Sequence, residues 1–156
     1  MKVTIEAMPE LRVGAVRHQG SYMDISGAFA KLGEIIARAG VQKRAGMLML
    51  AIYYDDPQTT PEPKLRSDAA MSFPRNVPLP KELAEHTIQG GRYARMTHVG
   101  PYQTLGNAWS LLIREWLPAS GERMGTSGSY EIYRNSPENT QPQDLRTDLY
   151  IPLEKG

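Results

Sequence analysis

Glu131 is the residue with the clearest chemical potential in this chain. It lies in Tyr130-Glu131-Ile132-Tyr133, a short and otherwise apolar run that reads as the interior of a strand. The run has a counterpart. Residues 1–76 align without a gap on residues 81–156, which sets Leu50-Ala51-Ile52-Tyr53 opposite Tyr130-Glu131-Ile132-Tyr133. Where one copy carries the methyl group of Ala51, the other carries a carboxylate. An ionised carboxylate in an apolar interior costs several kcal/mol unless it is paired. Glu131 therefore has a neighbouring cation, is protonated, or awaits a cationic ligand. The structural alternative is a strand end near solvent, or an ion pair with Arg134 or Arg146. Tyr133 shares the strand face of Glu131, and Trp109, Trp116 and Tyr150 are candidate walls. Aromatic faces attract cations and stack on flat ligands, so such a group suits a planar, lipophilic cation. The same rings at helical spacing also suit plain core.

Other chemistry is weaker. Arg66-Asp68 and Arg146-Asp148 recur in both copies at a spacing of two, hence on one strand face, and their repetition favours a structural role. His18 and His98 recur two residues before Gly20 and Gly100 and read as strand-end residues near a helix start. His86 stands alone, there is no cysteine, and no metal-ligand spacing is present. Gly-x-Ser-x-Gly, P-loop and dinucleotide fingerprints are missing from the sequence. No catalytic residue emerges, except Glu131 if the protein is an enzyme, and no cofactor is implied.

The elements that must position Glu131 follow from the duplication. The identities include Arg12/Arg92, His18/His98, Tyr22/Tyr102, Leu32/Leu112, Ile52/Ile132, Tyr53/Tyr133, Arg66/Arg146 and Asp68/Asp148. Phe29/Trp109 and Ser67/Thr147 add conservative pairs. Each half reads strand, strand, helix, strand, strand. Val3, Ile5 and Ala7 alternate with polar residues as a half-buried strand. Leu11 to His18 is the second strand. Ser21 and Asp24 resemble a capping box, and Ile25, Phe29, Leu32, Ile36 and Ala39 form one helical stripe ended by Gly40. Met47 to Tyr54 reads as a strand buried on both faces, and Leu65 to Phe73 as the next. In the second half, Gly90-Gly91 reads as a hairpin turn before Arg92 to Val99. The second helix carries Leu105, Trp109, Leu112 and Trp116 and is expected to stop near Leu117, because Pro118 follows. Eight antiparallel strands and two long helices predict an α+β fold, two copies of one module around a pseudo-two-fold axis in a single domain of residues 1–156.

Composition agrees with this reading. The 156 residues are 40% apolar and 22% charged, with a formal charge of +1, so no basic surface for direct nucleic-acid binding is expected. No stretch approaches the roughly 18 apolar residues of a membrane span, and the N-terminus lacks a signal-peptide core. A cytoplasmic protein is the simplest expectation.

The chain resembles the GyrI-like family, small-molecule-binding domains also found as the effector-binding half of AraC-type transcription activators and in multidrug-responsive regulators. The resemblance rests on Arg12-Val13-Gly14-Ala15 to His18, Tyr53-Tyr54-Asp55-Asp56-Pro57 and Leu65-Arg66-Ser67-Asp68 in the first half. In the second it rests on Gly90-Gly91-Arg92-Tyr93-Ala94, His98-Val99-Gly100-Pro101-Tyr102, Glu115-Trp116-Leu117-Pro118 and Tyr130-Glu131-Ile132-Tyr133. Tyr130 stands where relatives often carry phenylalanine. The resemblance implies tandem strand–helix–strand–strand modules around a central cleft, with the acid of the Glu131 motif facing it and contacting aromatic cations. Three roles are then expected. The first is binding of lipophilic, aromatic cations for effector or drug sensing or sequestration. The second is hydrolysis of cyclopropane-containing aromatic toxins in the same cleft. The third is a protein-interaction role like that of a DNA gyrase inhibitor, with gyrase or a regulator as partner.

Overall fold

The computed structural model describes residues 2–42 and 46–155. The fold is α+β, and its eight antiparallel strands divide between two compact units. The first unit contains residues up to Pro9 together with those from Gly90 onward, and the second spans Glu10–Gln89. In the first, the sheet order is β1 (Val3–Met8), β6 (Gly91–Val99), β8 (Arg146–Pro152), β7 (Ser129–Tyr133). In the second it is β3 (Met49–Tyr53), β4 (Arg66–Ser72), β2 (Leu11–Gln19), β5 (Ala84–Ile88).

The compact units are therefore not the linear repeats. Each repeat lends its first strand to the other: β1 pairs with β6, and β5 pairs with β2. The connections explain why. Only Pro9 and Glu10 separate β1 from β2, and a two-residue hairpin needs a primed turn with positive φ at its first central residue. Proline holds φ near −65°, so the chain cannot fold back. Gln89 and Gly90 separate β5 from β6, and neither takes a positive φ; that conformation falls on Gly91, at 146°. The expected Gly90-Gly91 hairpin is thus corrected, because the strands it joins pair elsewhere.

Each unit buries one sheet face under its helix. In the second unit, α1 (Ser26–Arg38) sets Ala28, Leu32, Ile35 and Ile36 against Val16, Ala69, Met71 and Phe73. Ser21 caps the short 3₁₀ turn that leads into α1, accepting from the Met23 N–H at 3.2 Å. The C-terminus closes with Gly40 at φ 68°. There the Val41 N–H reaches the Ile36 carbonyl and the Gly40 N–H that of Ala37, the double bond of a Schellman cap. Leu50, Ala51 and Ile52 are all buried, so β3 is covered on both faces as its sequence predicts.

In the first unit, α2 (Leu105–Ser110) runs into a π turn (Leu111–Trp116) and then α3 (Leu117–Ser120). Leu105, Ala108 and Leu112 cover Ala94, Met96, Leu149 and Ile151. The expectation that Pro118 ends this helix is overturned: helical backbone continues to Ser120, and Gly121 caps it at φ 79°. Proline lacks an N–H and its ring meets the carbonyl four residues back in a regular helix. Here the Leu117 N–H already bonds Leu112, five residues back. The wider π register admits Pro118 without a break. No helix among the described residues is long and apolar enough to cross a membrane.

Candidate functional site

Glu131 is 1% exposed. Its place follows from register. It stands opposite Leu149 across β7 and β8, and directly paired residues share a face. Leu149 packs under α2, so Glu131 lies on the helix-covered face, beside Tyr133. Arg134 and Arg146, the ion-pair alternatives, fall on the opposite face. Arg134 donates its Nε to Asp148 at 2.7 Å and an Nη to the Tyr150 hydroxyl at 2.9 Å. The strand-end reading fails on burial.

Two neutral donors hold the carboxylate within this unit. The indole Nε1 of Trp109 donates to Oε1 at 2.8 Å, and the Tyr133 hydroxyl donates to Oε2 at 2.7 Å. Such bonds to a charged oxygen are shorter and stronger than neutral ones, and they fix the plane of the carboxylate. They bring no positive charge. The Tyr102 ring tilts over Tyr133 with centroids 5.4 Å apart. Its phenol is held above its ordinary pKa, first by burial and then by the negative charge of Glu131.

Of the residues predicted to form the site, the structure thus brings together Glu131, Tyr133 and Trp109. It does not bring the other two to the acid's hydrogen-bonded group. Trp116, in the π turn, packs against the apolar cluster under the helix. Tyr150 stands opposite Tyr130, on the other face of the sheet. There it stacks on Tyr130 at 4.9 Å and meets Tyr93 edge-on, a buried three-ring cluster. Sequence reasoning placed Tyr102 among the duplicated and family-motif residues but not among the site residues, and took Phe29/Trp109 as a conservative pair. The missed signal was available: an apolar ring becomes an N–H donor in the same copy in which a methyl group becomes an acid.

The duplicated polar residues sit elsewhere and build scaffold. Asp68 accepts from Arg17 Nε at 2.7 Å and from the Tyr54 hydroxyl at 2.6 Å; burial and this bond push the Tyr54 phenol well up. Asp148 accepts from Thr97 and Arg134. Each aspartate stands on the face away from its helix. Arg66, next on the same face as Asp68, instead pairs with Asp55 at 2.9 Å. The histidines pin the chain at each helix entry: His18 meets the Ser21 carbonyl at 2.8 Å, and His98 meets the Thr104 hydroxyl at 2.7 Å. Among the described residues no three histidine, aspartate or glutamate side chains are placed to hold a metal ion.

The fold is a duplicated α+β domain in which Glu131 is buried between two aromatic donors. The chain belongs to the GyrI-like small molecule binding domain family, whose model matches residues 1–154. It is 30% identical over 154 residues to the probable transcriptional regulator YgiV of Escherichia coli K12, covering 98% of this chain and 96% of that one. It is also 30% identical to a DNA gyrase inhibitor of Yersinia enterocolitica, covering 97% and 96%. Among solved structures, the EcmrR–DNA complex superposes with a TM-score of 0.79 at 20% identity. That match covers 99% of this chain, which spans 58% of the EcmrR chain. SAV2435 bound to tetraphenylphosphonium superposes with a TM-score of 0.74 at 12% identity, covering 99% of this chain and 94% of that one.

Proposed function

We propose that this protein binds lipophilic aromatic cations for sensing or sequestration, with Glu131 as the counter-charge and Trp109 and Tyr133 as the groups that hold it. One observation carries the reading. The second copy buries a carboxylate where the first has Ala51, and it supplies two donors, the Trp109 indole and the Tyr133 hydroxyl, that orient the acid. Each carboxylate oxygen already accepts one bond. A delocalised cation with no N–H of its own asks only for charge and aromatic surface, which this group offers. That SAV2435, a protein of the same fold, is solved with tetraphenylphosphonium supports the ligand class.

The test is a titration of tetraphenylphosphonium and of neutral triphenylphosphine oxide, read by tryptophan fluorescence or calorimetry. Unit charges roughly 6 Å apart at an effective dielectric of about 20 interact by about 3 kcal/mol. Glu131→Gln should therefore weaken the cation by about 100-fold and the neutral compound by less than about threefold. Equal losses for the two would overturn the electrostatic role. A second reading, a protein-interaction role against DNA gyrase, is favoured by the full-length similarity to the Yersinia gyrase inhibitor. It predicts inhibition of supercoiling that persists in Glu131→Gln.

A further inference from the structure

The duplication sets two tyrosines at equivalent places with different fates. Tyr22 in the first copy tilts over Tyr53 at 4.7 Å, and Tyr102 in the second tilts over Tyr133 at 5.4 Å. The Tyr22 hydroxyl is fully engaged. It donates to the Asp55 carbonyl at 2.7 Å, lies 3.2 Å from the Arg66 carbonyl, and accepts the Asp55 N–H at 3.0 Å. Among the described residues the Tyr102 hydroxyl makes no hydrogen bond, although its ring is half-buried against the apolar cluster under α2.

The helix-entry loop accounts for the difference. In the first copy His18 bonds the Ser21 carbonyl directly. In the second, Thr104 stands where the first copy has Asp24, and its hydroxyl intervenes. His98 bonds Thr104 Oγ1, which in turn donates to the Pro101 carbonyl at 2.7 Å. The loop that carries Tyr102 is thus anchored through an extra link, and the ring centroid stands further from its tyrosine partner than in the first copy. The released phenol rests on Tyr133, whose own hydroxyl bonds Glu131.

We propose that Tyr102 is a specificity-determining residue of the Glu131 site, whose hydroxyl takes an amide or another paired donor–acceptor group on the bound cation. The first copy shows what this hydroxyl position accommodates: a main-chain carbonyl and a main-chain N–H together. In the second copy no main-chain group fills that place, so the ligand supplies it. This inference rests on the cation-binding reading above and adds the polar half of the ligand to its charged, aromatic half. The pKa of Tyr102, raised by burial and by Glu131, agrees with a phenol that stays protonated within the field of the acid.

The test compares methyltriphenylphosphonium with (carbamoylmethyl)triphenylphosphonium, which share charge and rings and differ by one amide. Wild type should prefer the amide probe by about 3- to 10-fold, the worth of one net hydrogen bond. Tyr102→Phe should abolish that preference while leaving methyltriphenylphosphonium within about twofold. The variant removes a hydroxyl that makes no hydrogen bond among the described residues, so its thermal midpoint should match wild type. Tyr22→Phe should lower stability and leave the preference unchanged. A wild type without preference, or a preference that survives in Tyr102→Phe, overturns the assignment of Tyr102. Failure of both phosphoniums to bind, or binding indifferent to Glu131→Gln, overturns the cation reading itself and this inference with it.

Discussion

Changing Trp109 to Phe and Glu131 to Ala rewrites the second copy's site in the residues of the first, where Phe29 and Ala51 hold the same positions. Each change alone breaks the 2.8 Å indole–carboxylate bond from one side. Trp109→Phe leaves a carboxylate that is 1% exposed short of a donor, and loss of a hydrogen bond to a buried charged group costs about 1.5–3 kcal/mol. Glu131→Ala leaves the indole N–H and the Tyr133 hydroxyl without their acceptor, at about 1–3 kcal/mol for each buried group, and is partly offset because a buried charge disappears. The double variant removes donor and acceptor together and puts the first copy's residue types at both positions. It should therefore be about 2 kcal/mol more stable than the sum of the two losses. Cavity terms from the smaller side chains occur in both backgrounds and drop out of the cycle. Equilibrium urea unfolding of the four proteins measures the coupling, with equal m-values as the check that the unfolded reference has not moved. Additivity within about 0.5 kcal/mol would refute the claim that Trp109 exists to hold Glu131. The mirror experiment is equally direct. Ala51→Glu in the first copy buries an acid with no indole donor at position 29, and Phe29→Trp on top of it should recover part of the loss.

Asp55 is held below the usual carboxylate range by the Arg66 side chain, and the Arg66 main-chain N–H adds to this. Its stabilising contribution is therefore present above about pH 4, the unfolded value, and is lost as pH falls through the depressed folded value. Asp55→Asn copies the second repeat, where Asn135 accepts from the Arg146 N–H at 2.9 Å and donates its Nδ2 to the Asp144 carbonyl at 3.2 Å. The variant should be slightly less stable than wild type at pH 7 and converge with it on acidification. A deficit that is the same at pH 7 and at about pH 3 would contradict this assignment. Two glycines of one helix should respond with opposite signs. Gly33, inside α1 with open space around its Cβ position, should gain about 0.5–1 kcal/mol on change to Ala. Gly40, at φ 68° in the Schellman cap, should lose about 1 kcal/mol. Thermal unfolding followed by circular dichroism checks both, and shifts of the same sign would contradict the cap assignment.

What the sequence made legible was whatever depends on local periodicity. The stripe of α1 through Leu32 and Ile36 (though not Ala39, which is exposed, and with Ala28 and Ile35 unforeseen), the glycine cap at Gly40 and the double burial of β3 all follow from side-chain pattern, because the chain's own neighbours decide them. The failures share the opposite cause. Whether Gly90-Gly91 turns the chain back depends on a partner strand far away in sequence, so it looked like a hairpin corner and is not one. Pro118 looked like a stop because the rule assumes an α register, and the π turn ahead of it changes which carbonyl the ring must avoid. Tyr150 looked like a wall of the site because strand parity was not linked across β7 and β8; the pairing with Tyr130 sends it to the other face.

The duplication also sorts residues by role, in a way that a sequence without repeats could not. Positions identical in both copies turn up in the scaffold: Asp68 and Asp148 bind basic or hydroxyl donors behind each sheet, and His18 and His98 anchor the two helix entries. Two positions that differ meet at one carboxylate. Ala51 against Glu131 and Phe29 against Trp109 change together because an acid and its donor cannot be introduced separately without stranding a buried polar group. Tyr133 breaks this pattern, since it is identical to Tyr53 yet bonds Glu131, and so do Tyr22 and Tyr102, identical in type yet unequal in bonding, with Asp24 against Thr104 in the loop beneath them. Comparison of residue types would set Tyr102 aside as scaffold. Its ring over Tyr133 and its hydroxyl without a hydrogen bond among the described residues are why we propose that removing the phenol at position 102, and not a further charged residue, changes what the site prefers.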